Sequence, residues 1–209
     1  MISENVLKVK IILGSTRPKR FSEHAGRWIF EQAMNIEGIE SEILDLRDYE
    51  MPFFNEPVSP SSKNEDYTNE AVARWTKKIK EADAFIVVTP EYNYGYSAVL
   101  KNALDYVYPE WNNKPIGFVA YGSVGGARAL EQLRSVSVEL QMAPIRTAVH
   151  ITAPWGLVDE KGGLKPGALE PYKKTAEGML SQLIWWAEAL KAARTQTLRK
   201  YARTETLAV

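Results

Sequence analysis

Three short runs in this chain are apolar almost without interruption: VKIIL (9–13), AFIVV within AFIVVTP (84–90), and the IGFVA of IGFVAYG (116–122). A strand with one wet face alternates apolar and polar residues. A strand apolar on both faces must be covered on both, which is the pattern of central parallel strands held between two layers of helices. SEILDL (41–46) alternates and reads as a strand nearer an edge, and RTAVHIT (146–152) supplies a fifth.

Helix-spaced segments separate these strands. Residues 22–35 place Ala25, Trp28, Ile29 and Ala33 on one face, and 70–81 offer Val72, Trp75 and Ile79. Residues 98–107 offer Leu100, Leu104 and Val107, 127–140 offer Leu130, Leu133 and Leu140, and a last helix begins near Pro171 and runs to about Tyr201. Apolar residues three and four apart form the stripe a helix buries, and proline suits a first helical turn. Strict β-α alternation with right-handed crossovers gives an open α/β fold. We therefore expect a doubly wound five-stranded parallel sheet of flavodoxin-like order 2-1-3-4-5, with helices on both faces. The 209 residues suit a single domain over 1–209 with an extended C-terminal helix at about 171–201.

Composition narrows the function classes. Lys+Arg and Asp+Glu number 26 each, so the formal charge is zero and no nucleic-acid or membrane footprint is expected. The absence of cysteine removes disulfides, thiolate nucleophiles and Cys-based metal sites, and fits a cytoplasmic setting. Two histidines, His24 and His150, make no metal cluster and read as a helix-surface and a strand residue.

Loops after strands 1, 3 and 4 share the carboxyl edge of such a sheet, where ligands bind. GSTRPKRFS (14–22) gathers Ser15, Thr16, Arg17, Lys19 and Arg20 before a helix whose N-cap is expected at Ser22, a combination suited to a phosphate. PEYNYGYS (90–97) sets Tyr92, Tyr94 and Tyr96 around Asn93 and Gly95, which suits a planar ring; the tyrosines could equally fill a subunit interface with Tyr106, Tyr108 and Trp111. In YGSVGGAR (121–128), glycines before a helix allow a close backbone approach. Two long connections remain. MPFFNEPVSPSSKNED lies within 49–67, and APWGLVDEKGGLKPGALE (153–170) carries Trp155, which either covers the site or packs against the sheet, packing being the favoured reading.

Other chemistries fit poorly. The first loop lacks GxGxxG, so Asp45 after strand 2 reads as a turn or cap residue rather than a ribose ligand. No GxxxxGK[ST] is present. Ser123 imitates a hydrolase nucleophile, but the first glycine of GxSxG is missing and His150 lies inside a strand.

Together, GSTRPKRFS (14–22), PEYNYGYSAVLKNALDY (90–106) and GSVGGARAL (122–130) resemble the NADPH-dependent FMN reductases, flavodoxin-like proteins that include quinone, azo-dye and chromate reductases. The likeness spans roughly 7–152. It implies FMN as cofactor and NADPH as co-substrate: Ser15, Arg17, Arg20 and Ser22, with Phe21 in the same loop, match the FMN-phosphate turn. Pro90, Glu91, Tyr92 and Asn93, with Tyr94 beside them, match the segment along the isoalloxazine ring. Ser123, Gly125 and Gly126 match the loop at its pyrimidine end, where those glycine N–H groups, the helix end and Arg128 would stabilise reduced flavin; a surface ion pair of Arg128 with Glu131 is the competing reading. The resemblance further implies no catalytic protein acid or base and no metal. Hydride would pass from NADPH to flavin N5, then electrons to a quinone-like acceptor, by ping-pong. It also implies a homodimer or homotetramer. Arg17, Lys19 or Arg128 would meet the 2′-phosphate of NADPH. Two other classes fit the same residues: an FMN-binding electron carrier or redox sensor, and a nucleotide-binding α/β protein or hydrolase that uses the first loop for a different phosphate.

Overall fold

The computed structural model describes residues 6–63 and 67–206, with side chains up to residue 197. Residues 64–66 of the long second connection lie outside the described residues. In chain order the elements are β1 (Leu7–Leu13), α1 (Ser22–Met34), β2 (Ile39–Asp45), α2 (Glu70–Glu81), β3 (Ala84–Pro90) and α3 (Ala98–Asp105). They are followed by β4 (Pro115–Gly122), α4 (Ala127–Glu139), β5 (Ala143–Pro144), β6 (Val149–Thr152) and α5 (Lys173–Thr206). The sheet is parallel with order β2-β1-β3-β4-β5, and β6 also pairs with β4. The expected order and fold are thus present.

The unbroken apolar strands feed two cores. Val9, Ile11, Leu13, Ile86 and Val88 face α1 and α5, whereas Ile12, Phe85 and Val87 point the other way toward α2, α3 and α4. This is the period-2 alternation of a strand with both faces covered. Each fully buried aliphatic side chain contributes about 1.5–3 kcal/mol. Tyr106 and Trp111, considered for a subunit interface, are instead buried within the second core, where Trp111 meets Phe85 edge-on at 4.7 Å.

The fifth sheet position differs from expectation. The run 146–152 does not form one strand; pairing with β4 breaks between Pro144 and Val149. Side chains of the flanking helices take the backbone groups there. Arg134 of α4 donates to the carbonyls of Ile145 (2.6 Å) and Arg146 (2.8 Å), and Gln182 of α5 accepts the Thr147 N–H at 2.9 Å.

Helix starts set the loops. Asn69 caps α2 by accepting from Ala71 and Val72, and Ser97 caps α3 by accepting from Leu100 at 3.2 Å. Ser22 does not cap α1: Phe21 occupies that position and offers no side-chain acceptor. The N–H groups of the first turn of α1 therefore have no side-chain cap.

Candidate functional site

The register Leu13↔Asp45 ends β1 and β2 side by side, so the 14–21 loop leaves the sheet directly next to Asp45. Arg20 uses this neighbour. Its guanidinium makes a forked pair with Asp45, one arm at 2.7 Å, while Nε donates to Glu23 at 3.0 Å and Nη1 to the Ser15 carbonyl. Burial would raise the Asp45 carboxyl, but the Arg20 guanidinium and the Arg47 N–H hold it below its ordinary value. Arg20 is thus a buried strut of the loop rather than an open anion ligand, because most of its donors are spent inside the chain. Asp45 also caps the short turn Leu46–Asp48 through the Arg47 N–H at 2.9 Å, as a cap residue should.

The cations left facing outward are Arg17 and Lys19. Both are exposed, and neither enters an ion pair among the described residues. Arg17 lies 5.5 Å from the centre of the Tyr92 ring, and the Tyr92 hydroxyl hydrogen-bonds Ser15 Oγ at 2.8 Å. The first and second loops are thereby joined. Beneath them, Ser22 Oγ and the Tyr121 hydroxyl are buried, close to one another, without a hydrogen bond of ordinary geometry. Burial pushes Tyr121 up to about 12, so its phenol stays protonated.

The second loop is a tight hairpin. Tyr92 and Gly95 exchange both backbone hydrogen bonds (2.8 and 3.0 Å), and Asn93 (φ 48°) and Tyr94 (φ 72°) occupy the left-handed region that type I′ turns demand. A tyrosine there is strained. Arg128 stacks over the Tyr94 ring at 3.8 Å and Gln132 donates to the Tyr94 carbonyl at 2.8 Å, which holds the turn. Tyr94 is 66% exposed, whereas Tyr96 packs against the second core, and burial moves its hydroxyl up to about 12.

At the third loop, Gly125 (φ 66°) and Gly126 (φ 69°) lead into α4. A side chain on Gly126 would lie 2.8 Å from the Tyr121 nitrogen, so the glycine is demanded by the chain's own strand. His150 Nδ1 hydrogen-bonds the Gly125 carbonyl at 2.9 Å. The N-terminus of α4 is occupied: the Glu91 carboxylate accepts from the N–H of Arg128 (2.9 Å) and Ala129 (3.4 Å). Arg128 Nε donates to the same carboxylate at 2.6 Å, so Arg128 pairs with Glu91 and not with Glu131.

Of the two readings of Trp155, packing against the sheet is not the one the structure adopts. The residue is 66% exposed and lines a cavity of about 260 Å³ with Arg17, Lys19, Phe21, Tyr92 and Tyr121. The 153–170 connection is a folded arm: Val158 bridges Leu164, Asp159 pairs with Gly163, and the His24 ring bonds the Gly162 carbonyl at 2.9 Å. No sequence pattern foretold that docking; the Asp-Glu-Lys-Gly-Gly turn (159–163) was the available hint. Among the described residues, no group of His, Asp or Glu is arranged to hold a metal ion, and no helix is long and apolar enough to cross a membrane.

An open parallel α/β sheet with an uncapped helix start, exposed cations and aromatic side chains at its carboxyl edge is chemically suited to a phosphorylated, ring-bearing ligand. The model of the NADPH-dependent FMN reductase family matches residues 7–156, and the chain belongs to that family of oxidoreductases. It is 40% identical over 182 residues to an NAD(P)H-dependent FMN reductase of Schizosaccharomyces pombe, covering 85% of this chain and 90% of that protein. It is 33% identical to an NAD(P)H:quinone oxidoreductase of Solanum tuberosum over 68% of this chain and 73% of that one. Among solved structures, a flavoenzyme NAD(P)H:(acceptor) oxidoreductase from Paracoccus denitrificans shares the fold with a TM-score of 0.65 at 20% identity, covering 85% and 97% of the two chains.

Proposed function

We propose that this protein is an FMN-dependent NADPH oxidoreductase that passes electrons, in alternating turns at one site, to a small acceptor of the quinone or flavin kind. The observation that carries the FMN assignment is the buried, unpartnered Ser22 hydroxyl at the uncapped start of α1, in the turn that also holds Ser15 and Arg17. A buried hydroxyl without a partner costs about 1–3 kcal/mol, and a phosphate held there would supply the missing acceptor.

When bound, FMN supplies two-electron chemistry, and the protein's work is placement. Ser15, Arg17 and the first-turn N–H groups of α1 bind the phosphate, with Phe21 in the same turn and Arg20 bracing it from behind. Pro90, Glu91, Tyr92, Asn93 and Tyr94 orient the ring, and Ser123, Gly125 and Gly126 border its pyrimidine end. Because Glu91 neutralises Arg128, the preference for NADPH over NADH falls to Arg17 and Lys19. The protein acts in the cytoplasm as a homodimer or homotetramer of a single-domain subunit; the outward Phe53 (80% exposed) and Trp185 (63% exposed) support association.

The test is the visible spectrum of protein incubated with FMN and gel-filtered, followed by anaerobic NADPH. Retained flavin that bleaches with NADPH and recovers with a quinone supports the reductase. Retained flavin that stays oxidised makes the protein a carrier or sensor, and loss of flavin overturns the FMN assignment.

A further inference from the structure

Arg47 leaves the short turn that Asp45 caps and reaches across to the first loop, where every arm of its guanidinium is spent. Nε donates to the Thr16 carbonyl at 3.2 Å, Nη2 to the Arg17 carbonyl, and Nη1 to Glu23 at 2.6 Å. Arg20 holds the Ser15 carbonyl. Two arginines thus capture three consecutive carbonyls of the loop. In a trans peptide the N–H points away from the carbonyl of the same unit. Fixing the Ser15 and Thr16 carbonyls therefore turns the Thr16 and Arg17 N–H groups away from the arginines, to the side where Ser15 Oγ lies 3.4 Å from the Arg17 nitrogen. Successive N–H groups turned one way make a concavity for an anion.

Resting on the FMN reading above, we propose that Arg47 is a positioning residue for the flavin phosphate: it fixes the peptide planes of the first loop so that N–H groups, not carbonyl oxygens, face the anion. Its action is geometric rather than coulombic. Arg47 and Arg20 share Glu23, and Asp45 accepts from the Arg20 fork and the Arg47 N–H, so two cations face two carboxylates and the cluster is neutral. Arg17 and Lys19 remain the charges that meet the phosphate. The loop needs such a clamp. Lys19 is held in the left-handed region at φ 54°, and residues 16–19 are all exposed, so packing does not hold them. Without Arg47, the peptide between Thr16 and Arg17 is free to turn its oxygen toward the anion. Lysine cannot replace it, because one ammonium lacks the planar fork that spans two carbonyls and a carboxylate.

The measurement is the Kd of FMN and of riboflavin, followed by flavin fluorescence, beside a thermal melt of each variant. Arg47→Ala should weaken FMN about tenfold, the scale on which groups that orient a ligating atom act, and change riboflavin less than about twofold. The slope of FMN affinity against salt should stay that of the wild type, whereas Arg17→Ala should flatten it. Arg47→Lys keeps the ion pair with Glu23, so it should recover the melting temperature and not the FMN affinity; it also decides the matter should Arg47→Ala not fold. An unchanged FMN Kd in Arg47→Ala, equal loss of FMN and riboflavin, or full recovery of FMN affinity in Arg47→Lys overturns the inference while leaving the reductase reading intact. A wild type that takes up no FMN removes the reductase reading itself, and this inference with it.

Discussion

Glu91 and Arg128 form one electrostatic unit: the carboxylate takes the guanidinium and two N–H groups of the α4 N-terminus at once. Burial would raise the Glu91 carboxyl, yet these donors hold it below its ordinary value. The positive end of α4 and the Arg128 charge are therefore largely cancelled before any flavin approaches. Removing Arg128 should lower the FMN midpoint potential, because the Glu91 carboxylate then loses its guanidinium partner and disfavours reduced, anionic flavin. Glu91→Gln should raise it, because an uncompensated cation then favours reduced, anionic flavin. Potentiometric titration of both variants checks this; a fall in potential in Glu91→Gln would refute the cancellation.

Arg20 and Arg17 stand three residues apart and should behave oppositely. Arg20→Ala strips Asp45 of its partner. Breaking a fully buried pair costs about 3–5 kcal/mol, and since the Asp45 side chain is 23% exposed we expect about 2–3 kcal/mol. The melting temperature should fall by roughly 5–10 °C. Arg17→Ala should leave melting within about 2 °C, since an exposed cation without an ion pair contributes little, and should weaken FMN about tenfold. Thermal melts beside FMN titrations separate the two roles.

The contrast shows what this sequence made legible. Continuous apolar strands and helix-spaced stripes fixed the layer order, because burial on both faces leaves few alternatives. The carboxyl-edge loops followed from topology. Which of the cations in GSTRPKRFS faces outward did not follow, since that depends on the Leu13↔Asp45 register, a pairing 32 residues distant in sequence that delivers a carboxylate to Arg20 alone. Glu91 was likewise expected along the ring, but its partner arrives 37 residues later at the start of α4. Whether Trp155 covers the site or packs against the sheet is not legible locally, because nothing nearby in the sequence signals that Gly162 will find His24.

Ser22→Ala tests whether stability has been given up for binding. The hydroxyl is buried without a partner and caps nothing, so its removal should leave apo-protein stability unchanged or raise it by up to about 1 kcal/mol. FMN affinity should fall about tenfold while riboflavin, which lacks the phosphate, is held equally by both proteins. A loss of apo stability together with unchanged FMN affinity would make Ser22 a packing residue.

Lys114 offers a pH test remote from the site. It immediately precedes β4 in a buried position, donates to the carbonyls of Ile79 (2.8 Å) and Lys80, and thereby completes the C-terminal end of α2. Burial, with Arg194 adding repulsion against the partial relief from Asp83 and Glu110, pulls its ammonium down to about 8 from 10.5. Between those values the unfolded chain holds a proton that the folded chain has released, so stability rises with pH across this window, by at most about 1.4 kcal/mol per unit. The neutral amine keeps two N–H donors for the two carbonyls, so deprotonation need not break the contact. Lys114→Met removes both the titration and the hydrogen bonds. Denaturant unfolding from pH 7.5 to 10 should therefore show the wild type gaining stability relative to Lys114→Met as pH increases. A constant difference across that range would mean that Lys114 titrates at its ordinary value and that solvent reaches it.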